Sequence, residues 1–156
     1  MAANLLALAA KNADHPDMTP KTSPVRLILR WVLGLFYLAA GIIHLRSPGG
    51  FITITPHWVP DIPLVIALTG MAEICGAVAL LFIPRLRKAA AIGLALYAVC
   101  VFPANINQAI YDLPMGGRHL SWWYHGPRMV LQPILVWLAL WVGNVIEWPW
   151  RRNQFL

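Results

Sequence analysis

The chain has 156 residues, of which 59% are hydrophobic and only 12% are charged, and its mean hydropathy is +0.62. A soluble globular domain carries about 25% charged residues, so this composition excludes an ordinary soluble domain and indicates an integral membrane protein. The net charge of +6 does not indicate nucleic-acid binding, because the basic residues are grouped at the ends of apolar segments.

Residues 1–24 are predicted to form a cytoplasmic N-terminal tail. Met1 to Ala10 has no basic start and no cleavage pattern after it, so it is not interpreted as a secretory signal. Asn4 to Lys11 can form a short helix on the membrane surface. Prolines then interrupt regular structure until the first long apolar segment begins.

Residues 25–147 contain four apolar segments and are predicted to form one membrane domain. A transmembrane helix needs about 20 apolar residues, and unpaired backbone groups are not tolerated in lipid, so each segment is predicted to be a helix. The predicted fold is therefore all-α, an integral membrane four-helix bundle, followed by a cytoplasmic C-terminal tail at residues 148–156. The four segments are Val25 to Leu45, Ile62 to Ile83, Ala89 to Ala109 and Met129 to Ile146.

The basic residues orient these four segments. Nine of the twelve Lys and Arg residues lie before or at the start of the first segment, in the turn between the second and third, or after the fourth. An excess of Lys and Arg marks the cytoplasmic side. Both termini are therefore predicted to be cytoplasmic, in the inner (plasma) membrane of the cell. The nine residues are Lys11, Lys21, Arg26, Arg30, Arg85, Arg87, Lys88, Arg151 and Arg152.

Glu73 is the most informative residue, because it lies near the middle of the second apolar segment. An ionisable group at that depth costs about 3 kcal/mol even on lenient insertion scales, and such groups face a bundle interior or a wet cavity. Glu73 is therefore predicted to belong to a functional site. The alternative is a carboxylate that only pairs with a neighbouring helix.

Helical spacing places polar side chains of each segment on one face, toward the predicted outer half of the bundle. Small residues at the same spacing let helices approach closely, so Glu73 is predicted to face inward rather than toward lipid. The four faces are Gly34, Tyr37, Gly41 and His44; Thr69 or Gly70, Glu73, Gly76 and Ala77; Gly93, Tyr97, Val101, Asn105 and Gln108; and Arg128 with Gln132.

Arg128 is the expected partner of Glu73, either directly or through Gln132, Asn105 or water. A paired Glu73 stays ionised, whereas an unpaired one becomes a proton donor or acceptor. The sequence leaves both states open.

Pro103 and Pro133 are predicted to kink their helices beside these polar faces. Each proline leaves unbonded the carbonyl four residues earlier, here those of Val99 and Met129. Such kinks suit an opened cavity, and a simple packing bend is the alternative.

Cysteines and histidines give weaker signals. Cys75 and Cys100 do not form a CxxC motif, so they are expected to be two small buried apolar residues rather than a redox pair. Four histidines map to the outer side without an HxH or HxxxH spacing, so no metal site is predicted. His44 lies close to Glu73 and can serve proton transfer. The others are His57, His119 and His125.

Several motifs occur together in a fixed order. They are Tyr37-x-x-x-Gly41-x-x-His44, Leu68-Thr69-Gly70-Met71-x-Glu73-Ile74, Leu80-Leu81-x-x-Pro84-Arg85-x-Arg87, Phe102-Pro103-Ala104-Asn105 and Trp123-Tyr124-x-x-Pro127-Arg128-x-x-x-Gln132. From Leu35 to Trp141 the chain resembles the DoxX-like family of small four-helix bacterial membrane proteins. The resemblance implies a membrane component that works near quinones, thiols or sulfur compounds. The chain has no paired-cysteine motif, so thiol–disulfide chemistry is not carried over.

Three functions compete at this point. The first is a component of a membrane redox system that binds a quinone or another small molecule in an outward-facing polar pocket and receives electrons from a partner. The second is a non-catalytic membrane subunit or scaffold for a partner protein, and the third is a small oligomeric transporter. Under the first, Glu73 and His44 are the candidate proton-exchanging residues, and the candidate ligand-binding residues are Tyr37, Tyr97, Asn105, Gln108, Trp123, Tyr124, Arg128 and Gln132.

Overall fold

The computed structural model describes residues 23–148, and this part of the chain is all-helical, without a β-strand. The predicted tails lie outside the described residues, apart from residues 23, 24 and 148. The basic residues predicted there, Lys11, Lys21, Arg151 and Arg152, lie outside them as well. The helices are α1 (Pro24–Arg46), α2 (Gly49–Ile54), α3 (Ile62–Phe82), α4 (Arg87–Tyr111) and α5 (Trp122–Val142).

Three of the described helices, α1, α3 and α4, are long and apolar enough to cross a membrane. The fourth long helix, α5, has 21 residues but falls short in hydropathy, because His125, Arg128 and Gln132 occupy its first three turns. Its predicted bounds were wrong. It begins at Trp122 rather than Met129 and ends at Val142 rather than Ile146, so Pro127 as well as Pro133 lies inside it.

The four long helices pack around a shared apolar core. α1 packs on α3, α3 on α4 and α4 on α5, and α1 also touches α5. The core contains Leu33, Tyr37, Leu80, Leu94 and Val142. The outward surfaces also carry large exposed apolar side chains, which is the arrangement that lipid rather than water favours. Examples are Phe36, Leu96 and Val130.

Two glycines bring α1 and α3 into direct backbone contact. A Cβ added at Gly41 would lie 2.6 Å from the carbonyl oxygen of Gly70, and one added at Gly70 would lie 2.9 Å from the Cβ of His44. A side chain at either position would push the helices apart, as expected for small residues at a membrane-helix interface. This close crossing lies beside Glu73 and sets the geometry of the site.

Candidate functional site

Glu73 and His44 meet where α1 crosses α3. Glu73 is only 2% exposed, and its Oε2 lies 2.8 Å from His44 Nδ1. The same nitrogen lies 3.0 Å from the carbonyl oxygen of Ala40 in hydrogen-bond geometry. A carbonyl only accepts, so Nδ1 carries a proton here. Whether His44 is charged is decided by a second proton at Nε2.

The His44 ring is held in place by stacking. The ring of Phe51, on the short helix α2, stacks on it with centroids 3.7 Å apart and planes 22° apart. The imidazole is therefore fixed by Phe51 on one side and by the Ala40 carbonyl at Nδ1. The contact between His44 and Glu73 is close but not aligned as a hydrogen bond, and the buried Glu73 Oε2 has no aligned donor.

Tyr97 of α4 links this pair to the rest of the polar interior. Its hydroxyl interacts electrostatically with the Glu73 carboxylate and, more weakly, with Arg128. Its ring packs edge-to-face against Tyr37, with centroids 6.0 Å apart. The Tyr37 hydroxyl donates to the Leu94 carbonyl at 3.4 Å. Tyr37 is therefore part of the packed wall, and Tyr97 is the tyrosine that reaches the carboxylate.

A second polar group, the carboxamide cluster, consists of Asn105, Gln108 and Gln132 around Arg128. Arg128 Nη2 donates to Asn105 Oδ1 at 2.5 Å, and Arg128 Nη1 donates to Gln108 Oε1. Asn105 Nδ2 donates to Gln132 Oε1 at 3.2 Å, and Gln132 Nε2 donates to the carbonyl of Ala98. All three carboxamides are buried, so each polar group depends on its neighbours in the cluster.

Of the two arrangements expected for Arg128 and Glu73, the direct pair does not form. Among residues 23–148, ion pairs within 4 Å join only His44 to Glu73 and His119 to Asp112. The acceptors of Arg128 are neutral carboxamides instead. Tyr97 interacts electrostatically with both Glu73 and Arg128. The expected bridging residues Asn105 and Gln132 form hydrogen bonds within the carboxamide cluster instead.

His125 is buried, which the sequence did not predict. It is 2% exposed, and neither ring nitrogen has a hydrogen-bond partner. It packs edge-to-face against Tyr124, with ring centroids 5.5 Å apart. His125, Arg128 and Gln132 follow one face of α5 at spacings of three and four, a signal that was hidden because the helix was predicted to begin at Met129.

Two predicted ligand-binding aromatics lie at the edge of the site. Trp123 is 90% exposed, so it is not part of the buried polar group. Tyr124 is also exposed, but its ring lies under the Arg128 guanidinium, 5.5 Å from Cζ. Gly93, which spacing placed on the polar face of α4, is exposed and has open space around it.

An open, mostly apolar groove of about 640 Å³ lies on the opposite face of α4 from the carboxamide cluster. Pro103, Ile106 and Ile110 line it from α4, and His57 and Trp58 line it from the loop before α3. Asn107 ties the two sides together by donating to the Ile54 carbonyl at 2.9 Å. Pro103 therefore borders this groove, while the buried polar residues close against one another.

The cysteines and histidines do not form a metal or disulfide centre in the described part of the chain. Cys75 and Cys100 are free, and both are exposed on the helix surface, so the expectation that they are buried was wrong. They lie on outward faces, where an apolar thiol can contact lipid. No group of three or more His, Cys, Asp or Glu side chains within residues 23–148 can hold a metal ion.

Comparison with known families adds one finding. A family model described as Domain of unknown function (DUF8561) matches residues 33–143, which is more than half of the chain. The chain belongs to the DUF8561 family. The DUF8561 match includes Glu73, His44, Tyr97, Arg128 and the three carboxamides, so the whole buried polar group lies within the family domain. No curated protein and no solved structure matches the chain significantly.

Proposed function

We propose that the chain is a four-span inner-membrane protein, with both termini cytoplasmic, that binds a quinone or a similar small carbonyl compound at the buried polar group. The observation that carries the proposal is Glu73, a buried carboxylate whose Oε2 lies 2.8 Å from His44 Nδ1. Such a pair can pass a proton to or from a ligand oxygen. The resemblance to DoxX-like proteins, which implies work near quinones, supports the choice of ligand.

The site holds a proton-exchanging pair, Glu73 with His44, and a separate cation, Arg128. This arrangement supports a ligand that gains or loses protons. The pair of Glu73 and His44 can give or take a proton. The Tyr97 hydroxyl interacts electrostatically with both the Glu73 carboxylate and Arg128. The Arg128 guanidinium is held by Gln108 and Asn105, and it can stabilise negative charge on a reduced oxygen. Electrons come from a partner in this proposal.

Binding in the cluster requires its internal hydrogen bonds to be exchanged for bonds to the ligand, because the carboxamides satisfy one another in this structure. Helices α4 and α5 are suited to such a change. Pro103 lies inside α4, and Pro127 and Pro133 lie inside α5. Each proline removes one helical hydrogen bond and weakens the helix locally. A ligand would enter by separating the outer halves of these two helices.

The membrane part of the proposal rests on α5 acting as the fourth span. Its apolar second half, from Pro133 to Val142, is long enough for about half of a bilayer core, and Arg128 and Gln132 in its first half bond to side chains of α4. Single cysteines placed at Arg85 and Arg118, in a background without Cys75 and Cys100, test the topology with a membrane-impermeant maleimide. In intact cells or right-side-out vesicles, labelling only at position 118 supports it. Labelling at position 85 contradicts it.

Native mass spectrometry of the full chain, extracted in mild detergent, tests the ligand. We expect a bound mass that matches a quinone and that is lost in Glu73→Gln. The matched control is Glu147→Gln, which makes the same substitution at an exposed position and should retain the ligand. A folded wild-type protein that takes up no added ubiquinone or menaquinone would overturn the proposal.

A second function is favoured by the closed carboxamide cluster. A polar network in which every member bonds another fixes helix register and can serve a non-catalytic membrane subunit or scaffold. Under this alternative, a stoichiometric protein partner co-purifies, and Arg118 on the exposed loop matters more for its retention than Glu73. Quinone binding that depends on Glu73 would decide against the scaffold.

A further inference from the structure

Three arginines converge at the end of the molecule opposite to the Glu73 site. Arg30 Nε donates to the Val142 carbonyl at 2.9 Å, and Arg26 Nη1 donates to Asn144 Oδ1 at 2.5 Å. Arg26 and Arg30 lie one turn apart on α1, and both bonds reach the C-terminal end of α5. These two residues and Arg87, the first residue of α4, are called the three-arginine cluster below.

Arg87 joins the cluster because α4 begins directly against the end of α5. A Cβ added at Gly143 would lie 2.1 Å from the Cβ of Ala91 and 3.4 Å from the carbonyl oxygen of Arg87. The lack of a side chain at Gly143 therefore permits the contact. Arg87 Nε donates to the Leu80 carbonyl at 3.2 Å, and Arg87 and Arg26 both lie within electrostatic range of Arg30.

The positive charge of the cluster is not balanced by any carboxylate in the described chain. The ion pairs within 4 Å among residues 23–148 involve only His44 and His119. Carbonyls at helix C-termini attract the arginines, but they carry no full negative charge. A buried cation without a counter-ion is costly, so an anion bound beside these arginines would stabilise the cluster.

Two donors of the cluster have no hydrogen-bond partner among the described residues. Arg30 is 3% exposed, and its Nη2 is buried without a hydrogen-bond partner. The Nε of Arg26 is buried without a hydrogen-bond partner as well, and its guanidinium lies over the Trp141 ring, 4.7 Å from the ring centroid. Guanidinium groups bind phosphate oxygens through paired N–H donors, with stronger hydrogen bonds than neutral groups make.

We propose that the three-arginine cluster binds a phosphate group, that of an anionic phospholipid. The surface beside the cluster fits the rest of such a lipid, because Leu27, Ile28 and Trp31 of α1 are large, apolar and exposed. They offer a surface for acyl chains, and tryptophan is favoured at the headgroup level. Free inorganic phosphate presents the same oxygens without acyl chains and is the other source of this chemistry.

Lipid titration of the full-length protein, followed by native mass spectrometry, tests the proposal. The probes are phosphatidylglycerol, phosphatidylcholine and inorganic phosphate. We expect one tightly bound phosphatidylglycerol, with an affinity about tenfold higher than that of phosphatidylcholine and about tenfold lower in Arg87→Gln. The matched control is Arg85→Gln, which removes the same charge from the same turn but from an exposed side chain, and its affinity should stay within about twofold.

Arg26→Gln provides a second variant at a half-buried position, and thermal unfolding with and without each probe checks that every variant is folded. Phosphatidylglycerol should raise the melting temperature of the wild type and of Arg85→Gln, but not of Arg87→Gln or Arg26→Gln. An equal rise with millimolar inorganic phosphate would support the phosphate site and assign its ligand to the free anion. Equal affinity for the two lipids, or equal losses in Arg85→Gln and Arg87→Gln, would overturn the proposal.

Discussion

His44 and Glu73 form a buried pair, with His44 Nδ1 2.8 Å from Glu73 Oε2 and side chains only 11% and 3% exposed. The chain offers its own comparison. His119 and Asp112 lie 3.0 Å apart with side chains 65% and 62% exposed. Both pairs join a histidine to a carboxylate, but the exposed pair is hydrogen-bonded and the buried pair is shielded from water, so a larger coupling in the buried pair would reflect its burial.

A double-mutant cycle measures that difference. We expect His44→Ala and Glu73→Gln to show a coupling energy of about 2 kcal/mol, because each substitution leaves the other group buried without its partner. The cycle of His119→Ala and Asp112→Asn should give less than about 1 kcal/mol, because water screens that pair. Unfolding in mixed detergent–SDS micelles provides the free energies. Equal coupling energies would show that burial does not strengthen the His44–Glu73 interaction.

Gly41→Ala should destabilise the protein by about 1–3 kcal/mol, as overpacking does in other interiors. The added methyl group would lie 2.6 Å from the Gly70 carbonyl oxygen and 3.0 Å from the Glu73 Cβ, so α1 and α3 must move apart. Gly93→Ala is the control, because nothing lies within 4 Å of a Cβ at that helical position. That variant should be neutral or more stable, since alanine favours helix. A thermal melt in detergent compares the two, and an unchanged melt for Gly41→Ala contradicts the close crossing.

Arg128→Lys should destabilise the protein by about 1–3 kcal/mol while preserving its charge. A lysine ammonium cannot bridge Gln108 and Asn105 in the planar geometry that the two guanidinium nitrogens use. Arg118→Lys, at an exposed loop position, should change stability by less than about 0.5 kcal/mol. The same SDS titration measures both variants. If Arg128→Lys is neutral, charge rather than geometry holds the cluster together.

His125→Phe should leave stability unchanged or raise it by about 1 kcal/mol, because both ring nitrogens are buried without partners and a phenyl ring has no such need. Thermal unfolding of the purified variant checks this. The matched comparison is Gln132→Met, which removes the side chain that bonds Asn105 and Ala98; this variant should lose stability. A destabilised His125→Phe would mean that the imidazole holds a group at its nitrogens.

The sequence determined the membrane character, the helical class and the inward direction of Glu73. Composition and apolar runs of about 20 residues depend on no tertiary contact, and the spacing of Gly41, His44, Gly70 and Glu73 marks one face on each of two helices. Local chemistry therefore predicted α1, α3 and α4 closely. It failed at α5, because polar residues and Pro127 in its first turns lowered the hydropathy on which the boundary was judged.

Only the tertiary structure decided which polar groups meet. Helical spacing assigns a face but not a partner, so it left open whether Arg128 meets Glu73 directly or through a bridge. The packing of α4 on α5 gives Arg128 the acceptors Asn105 and Gln108. The Glu73–His44 contact depends on how closely α1 and α3 approach at Gly41 and Gly70. The same holds for the three-arginine cluster, which forms from the starts of α1 and α4 and the C-terminal ends of α3 and α5. Contacts between distant segments follow from packing in three dimensions, and no local pattern in the chain encodes them.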